Sequence, residues 1–378
     1  MKIAIATPEF PPMNAAAASR TGPWVDALEQ RGHEVIVLTS RGAKDKKNPR
    51  VWTSRHAVPS SQAGLAKRFI QEIRLGRDVA RELHRRSSEL DFAVITSPPF
   101  FMASLCAKTA RRNSLPYLFD VRDRYPAALF DLDIVSSSGL IGRMLSRMEK
   151  RAYAGARLVS TVTHGLTKAI GGFVGEKKVF RMPNGFDGKF FPENLEHRAK
   201  RPEFTVVYHG RLGRFYDLQA MRNLVRETAK LDAGIRFLFI GDIGPAKTDG
   251  DWGTAEFRDE MSLDCLGQAL SECHLGVCLL KEVAAMRMAF PAKVFEFLGS
   301  GLPVLASPSG EFVDFLSKRG VGLPFERADP VVMARAIVDL KQDVPTWKKM
   351  SAHAWALRPE LDRRLLATFF AERLETCS

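Results

Sequence analysis

The feature that most constrains this chain is a recurrence of short apolar runs separated by stretches of helical period. Glu34 to Thr39 (EVIVLT) is β-branched and reads as a strand buried on both faces. Lys2 to Thr7 is a short apolar strand before it. Between them Ala18 to Arg31 is helical in period, with Trp24 and Leu28 on one face and Gly32 as the stop. Further strands are predicted at Ala93 to Thr96, Tyr117 to Asp120 and Leu158 to Val162. Strands alternating with helices predict an α/β chain with a parallel, doubly wound sheet. Near Asn184 the pattern changes. Gly188 to Glu203 is polar, aperiodic and carries Pro192 and Pro202, which suits a linker. A second series follows, with strands expected at Phe204 to Tyr208, Arg236 to Ile240, Gly276 to Leu280 and Pro303 to Ala306. A length of 378 residues also exceeds what one core usually serves. The expectation is two Rossmann-like domains, 1–188 and 200–357, facing a cleft, with ligands beyond the carboxyl ends of the strands.

Composition excludes several classes. At 45% hydrophobic and 26% charged residues, long disorder is unexpected. No apolar run reaches the roughly 18 residues of a membrane span, and Pro8 and Glu9 interrupt the first run too early for a signal peptide. A cytoplasmic protein is therefore expected. The cysteines Cys106, Cys265, Cys273, Cys278 and Cys377 are odd in number and form no C-x-x-C pair. The histidines have no ligand spacing, so neither disulfide framework nor zinc site is expected. The net charge of +13 attracts nucleic acid, anionic lipid or phosphorylated substrates alike. In Leu65 to Arg86 many cations alternate with Leu65, Phe69, Ile70, Ile73, Leu75 and Val79. This stretch suits a helix lying on an anionic membrane, or a helix whose charged face is simply solvated. No nucleic-acid-binding signature accompanies the charge, and no G-x-G-x-x-G follows the first strand.

Four constellations bear on chemistry. The alanine-rich turn Ala15 to Ala18 joins the first strand to the first helix, where small residues and a helix N-terminus suit an anion. In Leu118 to Pro126 the apolar strand ends in charge, and Asp120, Arg122, Asp123 and Arg124 are expected to cluster; a carboxylate there suits orientation of an acceptor hydroxyl, or a salt-bridged strand end. In Tyr208-His209-Gly210-Arg211-Leu212-Gly213-Arg214 the glycines permit a tight turn, and the arginines suit a diphosphate or solvent. Phe290 to Val304 (FPAKVFEFLGSGLPV) reads as a helix begun by Pro291 and ended by Gly299 and Gly301. Glu296 lies near its negative end, where a carboxylate calls for a cation or a hydroxyl-rich ligand, or is merely solvated. Asp131-Leu132-Asp133 and Asp249-Gly250-Asp251 match the D-x-D pattern of metal-dependent transferases, but neither follows a clear apolar strand.

The chain resembles glycosyltransferase family 4, of GT-B fold, over nearly its whole length. The likeness rests on KIAIATPEFPP with GHEVIVLT, on MPNGFD (Met182 to Asp187), on YHGRLG and above all on FPAKVFEFLGSGLPVLAS. DVRD followed by Tyr125-Pro126 resembles members that build bacterial O-antigen, capsule or exopolysaccharide. The resemblance implies retaining transfer from a nucleotide sugar, most often UDP-linked, to a hydroxyl acceptor. It implies no cofactor and no obligatory metal. A lipid-linked glycan acceptor and an anionic inner-membrane surface are the partners it suggests, with no nucleic acid.

Residue by residue, Glu296 matches the glutamate that binds ribose hydroxyls, and Arg211 the arginine that steadies the diphosphate. Gly210, Arg214, Pro291, Ala292 and Lys293 complete the implied donor site, with Ala16 and Ala17 in the first-domain loop facing the diphosphate. Asp123 falls at an acceptor-facing or sugar-facing polar position, with Arg122 and His164 beside it on the acceptor side. Asp123 and Arg211 are the implied catalytic pair. The final helix, Pro359 to Glu375 within 358–378, resembles the family's helix that returns to the first domain. Three positions depart from the family. Met288 stands where E-x7-E has its first glutamate, Tyr216 where a lysine often follows G-R-L, and alanines replace the diglycine loop. Arg214, Lys281, Arg287 or Lys293 is then left to supply the missing charge. Two other readings stay open: a GT-B-fold UDP-sugar epimerase, and a basic nucleic-acid-binding protein without enzyme activity.

Overall fold

The computed structural model describes residues 1–13, 15–43, 50–59, 64–131, 134–213, 215–243, 252–253 and 255–376. The chain divides into two compact units, Met1–Pro183 with Arg363–Ser378, and Asn184–Asp362.

The first unit is built on seven strands: β1 (Lys2–Ala6), β2 (Glu34–Thr39), β3 (Val51–Thr53), β4 (Phe92–Ser97), β5 (Tyr117–Val121), β6 (Leu158–Thr161) and β7 (Val179–Arg181). Their order in the sheet is β3-β2-β1-β4-β5-β6-β7, with every pair parallel. The order reverses between β1 and β4, as in a doubly wound Rossmann sheet. The strands lie close to the positions read from the sequence. The edge strands β3 and β7 went unpredicted, because three residues leave no period to read.

Helices α1 (Ala16–Gln30), α2 (Leu65–Arg86), α3 (Phe100–Arg112), α4 (Tyr125–Asp131), α5 (Leu140–Ala154) and α6 (His164–Val174) complete this unit with α14, introduced below. Side chains pack on both faces of the sheet. One core joins Leu75, Val79 and Leu83 of α2 to Met102 and Cys106 of α3. At Gly76 a Cβ would press within 2.7 Å of the Met102 backbone, so glycine lets α2 and α3 pack closely. The apolar stripe of α2 is thus largely spent on the core. Among the described side chains of α2, Ile70 is the one large apolar residue that is exposed, at 52%.

The second unit has six parallel strands: β8 (Thr205–His209), β9 (Arg236–Ile240), β10 (Glu256–Arg258), β11 (Leu275–Leu279), β12 (Val304–Ser307) and β13 (Gly322–Pro324). Their order is β10-β9-β8-β11-β12-β13, the same winding as the first sheet, with the reversal between β8 and β11. Its helices are α7 (Leu218–Leu231), α8 (Leu263–Ser271), α9 (Ala292–Gly299), α10 (Glu311–Arg319), α11 (Pro330–Gln342), α12 (Val344–Ala356) and α13 (Arg358–Leu361). Both units are therefore α/β, Rossmann-like and wholly parallel.

One expectation is corrected at the C-terminus. Pro359 to Glu375 is not one helix. It breaks at Asp362, which is extended (φ −70°, ψ 122°), and resumes as α14 (Arg363–Glu375). The break has a cause: Asp362 forms a β-bridge with Phe186, whose amide donates to Leu361 O at 2.9 Å. The chain leaves the second unit at this point, and α14 packs on α1, with Phe370 stacked on Trp24 at 3.9 Å between ring centroids.

Candidate functional site

The second unit carries the denser constellation. It stands at the carboxyl end of β8, beside the reversal of strand order, where sheets of this kind bind ligands. Gly210 follows β8 with φ +85°, a left-handed turn that glycine adopts without strain. A Cβ there would stand 3.8 Å from Lys293 Nζ, so the glycine also leaves the amine uncovered on that side. Lys293 is in the first turn of α9. Pro291 is the N-cap of that helix, one position ahead of the first-turn place predicted for it; its extended ψ of 136° keeps it outside. Ala292 opens the helix, and no side chain caps its amides.

Lys293 is 7% exposed. Its Nζ lies 3.6 Å from the centre of the Tyr208 ring and 4.0 Å from that of Tyr216. Among the described residues it has no hydrogen-bond partner. Burial disfavours the ammonium and lowers the pKa to about 7, against the pull of Cys278 and Glu296. Two aromatic faces offer a cation some return for lost water. The Tyr208 hydroxyl donates to Arg211 O at 2.9 Å, so the shelf beneath the amine also shapes the turn after β8.

His209, the last residue of β8, is buried. Its Nε2 lies 3.2 Å from Glu296 Oε2, near enough for electrostatic contact but out of line for a hydrogen bond. Burial, helped by the Lys293 charge, lowers its pKa to about 3, so the ring is neutral at physiological pH. The Glu296 side chain keeps 14% of its surface exposed. Neutral imidazole, carboxylate and titrating amine thus gather within one turn of α9.

Arg211 lies at the rim. Its side chain is 64% exposed, and Nε donates to Asp242 Oδ2 at 3.1 Å. Arg214 falls outside the described residues, as do Asp249, Gly250 and Asp251 and, in the other D-x-D match, Leu132 and Asp133. Met288 ends a 3-10 turn, Ala284–Met288, and is half-buried. Tyr208, His209 and Tyr216 had no assigned role in the sequence reading. Their signal was there in the aromatic and imidazole residues flanking Gly210, but only the fold brings Tyr216 against Lys293.

In the first unit, Ala16 and Ala17 open α1 with no side-chain cap. Ala17 is buried and Ala16 exposed. His164 is exposed at the start of α6, where Thr163 Oγ1 accepts from the Leu166 amide at 3.3 Å. The expected charge cluster after β5 is divided. Asp120 is fully buried, accepting from Arg20 Nε and Nη2 at 3.0 and 2.8 Å and from Ser160 Oγ at 2.6 Å. Arg124 pairs with buried Glu149. Both have structural partners because they face inward.

Arg122 donates from Nη2 to Pro98 O at 2.9 Å, while its buried Nε has no hydrogen-bond partner among the described residues. Asp123 is exposed, and among the described residues nothing hydrogen-bonds its carboxylate. Its pKa is nonetheless raised, desolvation by surrounding protein outweighing the opposing Arg122 charge.

Comparison with known proteins fits this geometry. Residues 16–185 match the glycosyl transferase 4-like domain, and residues 203–343 match glycosyl transferases group 1. No curated protein matches the chain in sequence. Among solved structures, Alr3699/HepE of Anabaena in complex with UDP-glucose is 15% identical with a TM-score of 0.69, each chain covered in full (100%). Sucrose-phosphate synthase of Thermosynechococcus elongatus is 15% identical with a TM-score of 0.71, over 99% of this chain and 98% of that one. WaaG, a glycosyltransferase involved in lipopolysaccharide biosynthesis, is 13% identical with a TM-score of 0.65, over 98% of this chain and 99% of that one. Identities this low speak for fold alone. With one glycosyltransferase domain matched on each of its two Rossmann-like units, the chain belongs to the glycosyltransferases of GT-B fold.

Proposed function

We propose that the protein transfers a sugar from a nucleotide sugar, UDP-linked, to a hydroxyl acceptor with retention of anomeric configuration, as family 4 enzymes do, in the synthesis of a bacterial surface polysaccharide or glycolipid. The observation that carries this reading is the buried Lys293 amine, without a hydrogen-bond partner among the described residues, beside Gly210 and one helical turn from Glu296. A ligand bearing a diphosphate next to a ribose answers both features. The phosphates accept from the ammonium, and the carboxylate accepts from the ribose hydroxyls. UDP and UDP-glucose complexes of Alr3699/HepE support the choice of UDP.

In this reading Lys293, with the amides that open α9 and with Arg211 at the rim, stabilises the negative charge that grows on the leaving diphosphate. Arg214, Ala16 and Ala17 are further donors to the same phosphates. His209 stays neutral and buried beside Glu296 and does not neutralise it. No metal is assigned a role. Asp123 orients the acceptor hydroxyl with Arg122 and His164 beside it, and the diphosphate accepts the proton.

Thermal unfolding with UDP, GDP, ADP, CMP and NAD tests the donor. UDP at a hundred times its dissociation constant is expected to add about 2.7 kcal/mol of stability, and NAD none. Glu296→Ala is expected to weaken UDP binding tenfold or more, since hydrogen bonds to a charged group are worth about 1.5–3 kcal/mol. No shift with any nucleoside diphosphate would remove the donor assignment.

Asp123→Ala is expected to lower turnover roughly tenfold or more, from the same loss of a charge-assisted hydrogen bond, and to leave the UDP shift unchanged. Turnover equal to wild type would take Asp123 out of the mechanism. UDP-sugar turnover without any acceptor would point instead to an epimerase.

A further inference from the structure

Two tyrosines tie the end of helix α5 to strand β5. The hydroxyl of Tyr117, on β5, donates to Ala152 O at 2.7 Å. The Tyr153 ring meets that of Phe119, also on β5, edge to face at 5.7 Å between centroids. The last turns of α5 are therefore fixed on the strand that runs directly into Arg122, Asp123 and Arg124. Glu149 lies one turn before Tyr153 on the same side of the helix and is 3% exposed.

A carboxylate buried this deeply is costly unless its lone pairs are filled. Arg124 fills them from the loop, with Nε 3.2 Å from Oε1 and Nη2 3.1 Å from Oε2, and the Tyr153 hydroxyl donates to Oε1 at 2.8 Å. A two-pronged pair of this kind fixes direction as well as distance. The Arg124 guanidinium also lies 5.4 Å over the Phe173 ring of α6. On the other flank, the Arg122 amide donates to Ser97 O at 3.0 Å and its Nη2 to Pro98 O at 2.9 Å. Asp123 stands between the two arginines. It alone of the three is exposed, and among the described residues nothing hydrogen-bonds its carboxylate. Buried ion pairs add little net stability, because desolvation offsets their attraction; what this one contributes is a fixed geometry one residue from an exposed acid.

We propose that Glu149 is a positioning residue for the acceptor side of the reaction: through Arg124 it holds Asp123 where the acceptor hydroxyl is met. Glu149 touches neither substrate. It acts by keeping Arg124 turned towards α5, so that the loop after β5 has one course and the Arg124 charge does not settle on the neighbouring carboxylate. An orienting group held in advance in this way need not be ordered when the acceptor arrives. The inference rests on the acceptor role proposed above for Asp123.

The first readout needs no substrate and decides by itself whether Glu149 sets Asp123. With isotope-labelled aspartate carboxyl carbons, the Asp123 signal in the full chain is identified by its loss in Asp123→Asn and followed with pH. In the wild type it titrates above the ordinary 3.8. In Glu149→Gln it is expected to move back towards that value, because the loop opens to water and the released Arg124 charge comes within reach. The second readout is UDP release from UDP-glucose with octyl glucoside as the hydroxyl acceptor. Glu149→Gln is expected to lower kcat/KM for the acceptor roughly tenfold to a hundredfold, to leave the UDP thermal shift unchanged, and to cost nothing further in the Asp123→Ala background. Tyr153→Phe keeps every charge and is expected to lose roughly threefold; it carries the test if Glu149→Gln fails to fold by circular dichroism. An unmoved Asp123 titration, or losses that add in the double variant, overturns the proposal and leaves Asp123 its role. Wild-type turnover in Asp123→Ala removes that role, and the proposal falls with it.

Discussion

Lys293→Met is expected to lower kcat/KM for the nucleotide-sugar donor about a hundred- to a thousandfold, the range for deleting one donor aimed at a charge that develops in the transition state. The same substitution is expected to raise thermal stability, and the two effects separate a functional amine from a structural one. In the free protein Lys293 is buried with two tyrosine rings and no hydrogen-bond partner among the described residues. Its pKa near 7 against 10.5 in its ordinary state means that folding strips its proton between those values. The unfolded chain binds more protons there, so stability rises as pH climbs from about 7 towards 10.5 and is lost as pH falls back through 7. Methionine fills the space, pairs its sulfur with the rings and removes that dependence.

Donor binding has the opposite sign. A diphosphate selects the protonated amine, so donor affinity is expected to weaken about tenfold per pH unit above roughly 7 in the wild type, and to be flat over that range in Lys293→Met. Titration calorimetry in two buffers of different ionisation enthalpy would register proton uptake on binding. Donor kinetics in Lys293→Met equal to wild type, or a pH profile shared by both proteins, would sink the assignment.

Much of this was legible beforehand, and the reasons are physical. Both sheets announced themselves because their central strands are near-continuous apolar runs, such as EVIVLT in β2 and RFLFI in β9. The edge strands did not, because Val51–Thr53 and Glu256–Arg258 are three residues long and half-solvated. In the site, Glu296 stood out as a carboxylate near a helix end. Lys293 was one of four cations with equal claim by position. Choosing among them depends on burial between Tyr208 and Tyr216, which are distant in the chain, and no local pattern carries that. Tyr216 looked like a deficit where the family has a lysine. In the fold its ring is part of what shifts the Lys293 amine. The same limit explains α2. It reads as basic and amphipathic, but which apolar face is already spent on the core depends on the neighbours the helix meets.

Arg20→Ala is expected to destabilise the first unit by about 3–5 kcal/mol, as for breaking any buried ion pair from one side. Arg20 and Asp120 are 4% and 0% exposed. Besides its two bonds to Asp120, the guanidinium donates to Pro183 O at 2.9 Å and Met182 O at 2.7 Å, and it lies 4.7 Å over the Trp24 ring. One side chain on α1 therefore ties β5 to the last residues before the chain leaves the unit. Alanine would strand the Asp120 carboxylate and two carbonyls away from water.

Asp120→Asn is expected to cost less, because an amide oxygen still accepts from Arg20. Asp120→Leu combined with Arg20→Met is expected to recover part of the loss, since no charge is then left buried alone, although the carbonyls of Met182 and Pro183 stay unanswered. Urea unfolding of the three variants decides the matter. A loss below about 1 kcal/mol in Arg20→Ala would mean that the pair is not what holds this region. Asp120 lies three residues before Asp123 on the same strand end. A positional drift there should therefore reach turnover in Arg20→Ala before it reaches UDP binding, whose residues lie largely on the other unit.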